Sequence, residues 1–300
     1  MDELRFDGRV AVVTGAGRGI GRAYARLLAR RGASVVVNDL GVAMTGDGPD
    51  AAPAAAVVDE IVAAGGAALA DGNDVATTQG AEALIGAAVE RFGRVDVLVN
   101  NAGIIRWAGL PEVDADNLER HLAVHVVGTF NTIRAAWPHM VEQGYGRVVN
   151  TTSSGIFGLP KNLGYAAAKG AVIGMTRSIA TMASPHGIKL NLIAPVAQTR
   201  MAGRADDEPG SPMSSELVAP MVAYLAHEDC PVTGEVYAAG ADRFARIFIA
   251  QAPGYRHTDG APTIEDVAEQ WTAINDPSGY TIPVDLMGWS ADFTAHLRTP

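Results

Sequence analysis

The sequence is poor in cysteine and in charge, and it has no surplus of positive charge. Its single cysteine, Cys230, excludes an intramolecular disulfide and fits a reducing compartment. As a lone thiol it reads as a small packed residue. Lys and Arg number 23 against 33 Asp and Glu, a formal net charge of −10, which argues against a nucleic-acid binder because such proteins present a basic face. No apolar run reaches the roughly 18 residues of a membrane span. The opening residues lack the charged-then-apolar order of a signal peptide, and the final three are not a peroxisomal address. These absences give the expectation of a cytoplasmic protein with neither nucleic acid nor membrane as partner. There is no Gly-x-Ser-x-Gly elbow of a serine hydrolase. His121 and His125 have a metal-like spacing of four, but Leu122 stands where a zinc protease places its glutamate and no third ligand is evident. No metal is expected.

What is present is a globular composition, 48% apolar with 34 glycines, arranged as alternating short and long periodic segments. Strands are expected near residues 10–14, 34–39, 67–70, 95–100, 147–152, 189–194 and 235–239. Helices are expected from residue 20, over 54–64, 78–92, 116–142 with a bend near Pro138, 165–183 and 217–226. Nearly continuous apolar strands alternating with helices predict an α/β fold: a single-domain, doubly wound parallel sheet of Rossmann type. Residues 1–240 form that domain, and 241–300 are expected as a C-terminal extension packed on it. Residues 202–215, polar and rich in Gly and Pro, fit a lid. Thr263 to Asp266 resembles a capping box opening a helix toward Trp271 and Ile274, and 276–300 read as an irregular tail.

Ligands on doubly wound sheets bind beyond the carboxyl ends of the strands, and the motifs fall there. Gly15, Gly17, Gly19 and Gly21, with Arg18 and Ile20 between them, follow the first strand and open the first helix. Such a loop lets a backbone approach a pyrophosphate, which the helix N-terminus attracts. No Gly-Lys-Ser/Thr follows, so an NTPase loop is excluded. Asp39 ends the second strand, where a carboxylate accepts the two ribose hydroxyls of NAD and repels the extra phosphate of NADP; Arg18 partly offsets that repulsion. Asp74 and Val75 follow the third strand and face the adenine side. Tyr165 and Lys169 share one helix face, an arrangement in which an ammonium favours a phenolate that exchanges a proton with an alcohol. Thr151, Thr152, Ser153 and Ser154 offer a hydroxyl to hold the carbonyl oxygen.

The glycine loop, Asn100-Asn101-Ala102-Gly103, the hydroxyl cluster and the Tyr165/Lys169 pair occur in the order found in short-chain dehydrogenases/reductases. The chain resembles that family over roughly residues 6–240. The resemblance implies Tyr165 as acid/base, Lys169 as the group that binds the nicotinamide ribose and depresses the tyrosine, and Ser153 as the residue that polarises the carbonyl. It also implies that Asn101, Ala102 and Gly103 line the cofactor. Counting back thirteen residues from the tyrosine gives Thr152, whereas counting forward from the strand gives Ser153; Ser153 is favoured, with Ser154 and Thr152 open. His125 stands where most of the family carries an Asn that anchors a proton-relay water. Here the relay runs through the backbone carbonyl and a water, or His125 is only packed. Pro195-Val196 replaces the usual Pro-Gly, and Thr199 is placed to bond the carboxamide. The segments 35–41, 125–130, 134–137, 193–195, 200–201, 218–220, 225–228 and 234–237, and more loosely the helix ending at Trp271, are similar to a narrower group, the (3R)-hydroxyacyl-CoA dehydrogenase part of peroxisomal multifunctional enzymes of type 2. That implies NAD-linked oxidation of a 3-hydroxyacyl-CoA or steroid-like secondary alcohol by a homodimer or homotetramer. An NADPH-dependent ketoreductase and a non-catalytic NAD-binding regulator are the alternatives. Arg200, Arg204, Arg243, Arg246 and Arg256 read as solvated surface, with a rim for CoA phosphates as the sharper alternative.

Overall fold

The computed structural model describes residues 3–43, 45–46, 48, 51–198 and 210–297. β-branched runs make the central strands: Val10–Thr14 (β1), Ser34–Asn38 (β2), Ala67–Asp71 (β3), Val97–Asn100 (β4), Gly146–Thr151 (β5), Ile188–Pro195 (β6) and Val236–Gly240 (β7). They lie in one sheet in the order β3-β2-β1-β4-β5-β6-β7, with an eighth strand, Arg243–Ile247 (β8), at the far edge. The pairings from β3 through β7 are parallel; β1 registers Val10 against Ser34 on one side and Ala11 against Val97 on the other. The chain therefore runs outward from β1 to β3 and returns to β4 on β1's opposite side. That reversal opens a crevice at the carboxyl ends of β1 and β4, as in doubly wound sheets generally.

Alternate residues of one strand serve opposite faces. Ala11, Val13, Val35 and Val37 join a core with Tyr24 and Leu28 of the helix Gly19–Arg30 (α1) and Leu225 of the last helix over this face, Ala219–Ala226. Val10, Val12, Val36 and Leu98 join a second core with Leu84 and Ile85 of the helix Thr78–Phe92 and with Ile133 and Met140. Helices thus cover both faces, which explains why the strands read as unbroken apolar runs.

The expected long helix exists, but its irregularity falls elsewhere than at Pro138. Residues Ala115–His121 are α-helical, Leu122–Val127 form a π-helical turn, and Gly128–Gln143 resume the α-helix with Pro138 inside it. A chain of buried side chains ties this helix to the sheet. Thr132 Oγ1 donates to Asn100 Oδ1 at 2.7 Å, Asn100 Nδ2 to Asn150 Oδ1 at 2.9 Å, and Asn150 Nδ2 to Thr176 Oγ1 at 2.9 Å. Thr176 lies on the helix Leu163–Ala183, which carries Tyr165 and Lys169. Both site-bearing helices are therefore fixed to β4 and β5 by bonds whose partners have no water to fall back on.

Residues 1–246 and 247–300 form two compact units. β8 was not expected. It enters through Ala241 and Asp242, non-glycine residues at φ 48° and 56°, the left-handed pair of a type I′ turn without the Asn-Gly that would announce it. In the second unit, Thr263 and Asp266 form the expected capping box ahead of Ile264–Glu269, and Trp271–Ile274 is helical. The tail is less irregular than expected, because Leu286–Phe293 is a helix capped by the Asp285 side chain on the Gly288 N–H. Among the described residues, no helix is long and apolar enough to cross a membrane.

Candidate active site

Behind β1 the chain turns through Gly15, at φ 62°, and enters α1 at Gly19, at φ 50°. Side chains would not fit here. A Cβ on Gly15 would lie 2.8 Å from Ala102 Cα, and one on Gly21 would lie 2.2 Å from the Gly15 carbonyl oxygen. The helix starts after Arg18 with no side-chain cap and no acidic residue in its first turn. Its free N–H groups and positive dipole end are left for an anion. Gly15, Arg18, Gly19, Ile20 and Gly21 all line the crevice.

Asn101 and Ala102 also line it, and Asn101 braces the glycine loop as well. Its Nδ2 donates to the carbonyls of Thr14 and Gly15, both at 3.0 Å, while the Asn101 and Ala102 N–H groups reach Thr14 Oγ1 at 3.0 Å. Asp39, on the rim, accepts the N–H of Gly17 on one oxygen and of Gly41 on the other, each at 2.7 Å. Each oxygen keeps acceptor capacity for a further donor, so the carboxylate can still take a pair of ribose hydroxyls. Asp74 takes the Ala76 N–H at 2.9 Å, and the Val75 carbonyl is held by Asn131 Nδ2 at 3.2 Å. The residues present therefore fit a dinucleotide: a cradle without side chains for the pyrophosphate and a carboxylate for the ribose.

Pro195 ends β6, and the Val196 N–H continues the ladder to the Ala239 carbonyl at 2.8 Å. A Cβ on Gly240 would fall 1.8 Å from the Val196 carbonyl oxygen, so the strand beside Val196 approaches it too closely for a side chain at 240. Thr199, Arg200, Arg204 and most of the expected lid lie outside the described residues. Arg246 pairs with Glu235 at 2.7 Å. Sequence reasoning missed Leu40, Val42, Ala43 and Gly46, which also line the crevice. A Cβ on Gly46 would reach Ile104 at 3.4 Å, so this segment crosses toward the loop after β4. The available signal was its length: residues 39–51 are long for a strand–helix connection.

Tyr165, Lys169, Ser153 and His125 come together, Lys169 and His125 buried and Tyr165 and Ser153 partly buried. Ser153 caps the 3₁₀ turn Ser154–Phe157 by accepting the Gly155 N–H at 3.0 Å, and its side chain lies close enough to Tyr165 to act on the phenol. Of the alternatives left open, Thr152 is fully buried and donates to the Lys169 carbonyl at 2.9 Å, and Ser154 is exposed. Lys169 Nζ donates to the Thr151 carbonyl at 2.8 Å and lies 5.6 Å from the centre of the Tyr165 ring. Burial pushes the Tyr165 phenol up, and Ser153 pulls it partly back. Burial lowers the Lys169 ammonium to about 7. The expected depression of the phenol by Lys169 is not found: the phenol is raised, Ser153 alone opposes that rise, and desolvation holds both groups closer to neutrality.

His125 packs edge-on against Tyr165 with ring centres 5.3 Å apart, and His121 stacks parallel on it at 6.0 Å. Gly103 makes the room, since a Cβ there would lie 2.4 Å from His125 Cε1. His121 Nδ1 is 2.7 Å from the Asn117 carbonyl, and its Nε2 accepts the Arg106 N–H at 3.2 Å. The metal-like spacing is thus realised as a ring stack bonded to backbone. The backbone carbonyl of His125, expected as a water anchor, receives Thr129 Oγ1 at 2.7 Å and sits within the helical run, so its lone pairs are taken by the protein.

The profile of the short chain dehydrogenase family matches residues 9–209. A short-chain type dehydrogenase/reductase of Mycobacterium tuberculosis is 43% identical over 276 residues, 91% of this chain and 96% of that protein. The peroxisomal multifunctional enzyme type 2 of Drosophila melanogaster is 42% identical over 281 residues, 92% of this chain but 46% of that one, so the chain spans about half the length of this relative. The crystal structure of a short chain dehydrogenase from Mycobacterium avium superposes with a TM-score of 0.80 at 38% identity, covering 91% of this chain and 97% of the other.

Proposed function

The chain belongs to the short-chain dehydrogenase family, enzymes acting on CH–OH groups, and on that premise we propose that it uses NAD to interconvert a secondary alcohol and a ketone, with a 3-hydroxyacyl-CoA as the leading substrate. The observation that carries the reading is Tyr165 beside Ser153, which lowers its phenol, one helical turn from buried Lys169. In the oxidative direction the Tyr165 phenolate takes the hydroxyl proton of the alcohol while hydride leaves its carbon. Ser153 donates a hydrogen bond to the same oxygen and holds it at the phenol. Lys169 stabilises the phenolate; a neutral lysine and a neutral tyrosine become a charged pair in one proton shift, and burial makes their attraction strong. Bound NAD supplies the hydride acceptor. Gly15, Gly19 and Gly21 with the α1 N-terminus would hold its pyrophosphate, and Asp39 its adenosine ribose. Asp74, Val75 and Asn101 to Gly103 would line its length, with Pro195, Val196 and Thr199 at the nicotinamide.

Asp39 supports NAD over NADP, because the extra phosphate would approach a carboxylate whose oxygens are fixed by Gly17 and Gly41. The substrate class rests on the sequence resemblance to the hydroxyacyl-CoA dehydrogenase group. The single, buried cysteine supports a reducing compartment such as the cytoplasm, and assembly as a homodimer or homotetramer is read by light scattering. The deciding experiment is a hydride-transfer screen with NAD over 3-hydroxyacyl-CoAs, steroids and small secondary alcohols, run beside Tyr165→Phe. Turnover that Tyr165→Phe loses by at least about a hundredfold, with NAD still bound, is the expected result. Turnover surviving that substitution rejects the assigned chemistry. NAD binding without turnover on any substrate would favour a regulatory NAD-binding protein.

A further inference from the structure

Asn162 stands at the start of the helix that carries Tyr165 and Lys169, the position where an asparagine ordinarily turns its side-chain oxygen onto a free helix N–H. It makes no such bond. The residue is 5% exposed; its Oδ1 is buried without a hydrogen-bond partner, and its Nδ2 has none among the described residues. An amide left unused this deep in the protein is unfavourable, so its placement calls for a reason. The backbone around it is built to hold it there. Lys161, just before it, adopts the left-handed region at φ 61°, a conformation that disfavours a side chain. Asn162 forms a bridge with Ala108, and the Leu163 N–H donates to the Ala108 carbonyl at 3.4 Å. The loops that follow β4 and β5 therefore meet at this residue.

The amide stands beside the reacting groups. From the position a Cβ on Gly155 would take, Asn162 Nδ2 is 2.9 Å away, Ser153 Oγ 3.4 Å and Tyr165 Cδ1 3.7 Å. One point thus borders the amide, the serine hydroxyl and the tyrosine ring, and glycine at 155 keeps that gap clear of a side chain. Ser153 and Tyr165 are the pair assigned above to the reacting oxygen. Nδ2 is a donor set a short span from them, so it is placed to meet a second acceptor oxygen on the same substrate. A simple secondary alcohol has no such oxygen. A 3-hydroxyacyl thioester does, because its C1 carbonyl lies two carbons from the carbinol carbon. Two oxygens on a three-carbon unit, each accepting a hydrogen bond of roughly 2.9 Å, fit between donors spaced as Ser153 Oγ and Asn162 Nδ2 are.

We propose that the Asn162 amide, through Nδ2, binds the C1 carbonyl of a 3-hydroxyacyl or 3-oxoacyl substrate and makes the site selective for alcohols that carry this second oxygen. The proposal rests on the dehydrogenase reading above and deepens it, naming a contact behind a substrate class that otherwise stands on resemblance alone. Asn162 is then a substrate-binding residue. It holds the acyl group so that the carbinol stays at Ser153 and Tyr165, and it takes no part in proton or hydride transfer. The contact serves both directions of the reaction, since C1 remains a thioester carbonyl throughout.

The test uses the full-length protein with NAD and two probes, 3-hydroxybutyryl-CoA and 3-hydroxybutyl-CoA, the thioether in which C1 is a methylene group. The unmodified enzyme is expected to prefer the thioester at least about tenfold in kcat/KM, because a site that offers a hydrogen bond rejects an analogue without the partner atom. Asn162→Leu is expected to lose about tenfold or more on the thioester and less than about twofold on the thioether, erasing the preference. Equal losses on both probes mark a merely structural role and overturn the proposal, as does an unmodified enzyme that does not discriminate between them. Asn162→Asp keeps the size but replaces the donor with an acceptor, and is expected to lose at least as much on the thioester. Thioester activity retained in Asn162→Asp overturns the proposal, and this variant decides should Asn162→Leu not fold. Turnover that survives Tyr165→Phe, or no turnover of either probe by the unmodified enzyme, overturns the dehydrogenase reading and this proposal with it, whereas the outcomes above overturn this proposal alone.

Discussion

Replacing Lys169 with methionine is expected to stabilise the ligand-free protein at neutral pH while abolishing activity. The side chain is 3% exposed, and burial lowers its ammonium from the ordinary 10.5 to about 7, which corresponds to roughly 5 kcal/mol against the charged form. Between those two values the unfolded chain holds the proton and the folded chain has released it. The unfolded state then binds more protons, so stability rises with pH across this window. Wild type therefore carries a penalty of ~4 kcal/mol at pH 7 that falls to ~2 kcal/mol at pH 9. Methionine removes the penalty and also the bond to the Thr151 carbonyl at 2.8 Å, whose loss costs about 1.5–3 kcal/mol. Lys169→Met should exceed wild type by ~1–2 kcal/mol at pH 7, and that advantage should shrink by about 2 kcal/mol by pH 9. Urea unfolding of both proteins at matched ionic strength across this range reads the difference directly. A difference that stays flat between the two pH values would refute the burial argument, and so would a wild type more stable than the variant at pH 7.

Three further outcomes follow from contacts described above. Asn150→Leu breaks the side-chain chain from Thr132 to Thr176 and strands Asn100 Nδ2; a loss of ~2–4 kcal/mol in denaturant unfolding is expected, and a loss under ~0.5 kcal/mol would show the network to be slack. Gly21→Ala puts a Cβ 2.2 Å from the Gly15 carbonyl oxygen, so the loop must shift; calorimetry should show NAD binding weakened at least about tenfold, equivalent to ~1.4 kcal/mol, and unaltered binding would exclude the loop as the cradle. Asp39→Ala removes the carboxylate held by Gly17 and Gly41; the ratio of kcat/KM for NADH over NADPH should fall by at least about tenfold, and an unmoved ratio would take cofactor choice away from this residue.

The sheet was legible because its strands are buried on both faces, so Val10 to Val13 and Val35 to Val37 read as unbroken runs whatever their partners. The crevice was legible because positive-φ glycines and a helix start leave a local signature at Gly15 to Gly21. What escaped depended on pairs distant in sequence. The glycine that admits Val196 sits at 240, on another strand. The π-turn at Leu122–Val127 has no residue that marks it, whereas Pro138, which does look like a breaker, lies within an ordinary α-helical run. β8 escaped because Ala241 and Asp242 adopt left-handed geometry without glycine. Spacing alone could not separate the four hydroxyls at 151–154; the structure distinguishes their surroundings, Thr152 donating to the Lys169 carbonyl and Ser153 standing beside the phenol.

The position of β8 bears on how the protein keeps apart from other sheets. An outermost strand offers a row of unpaired backbone groups to any passing edge. This flank is closed by a short strand that carries exposed Arg243, and a charge on an edge strand discourages side-by-side fusion. A chain shortened after Gly240 would bare Val236–Gly240 instead, an uncharged ribbon, and would be prone to stack on itself into aggregates.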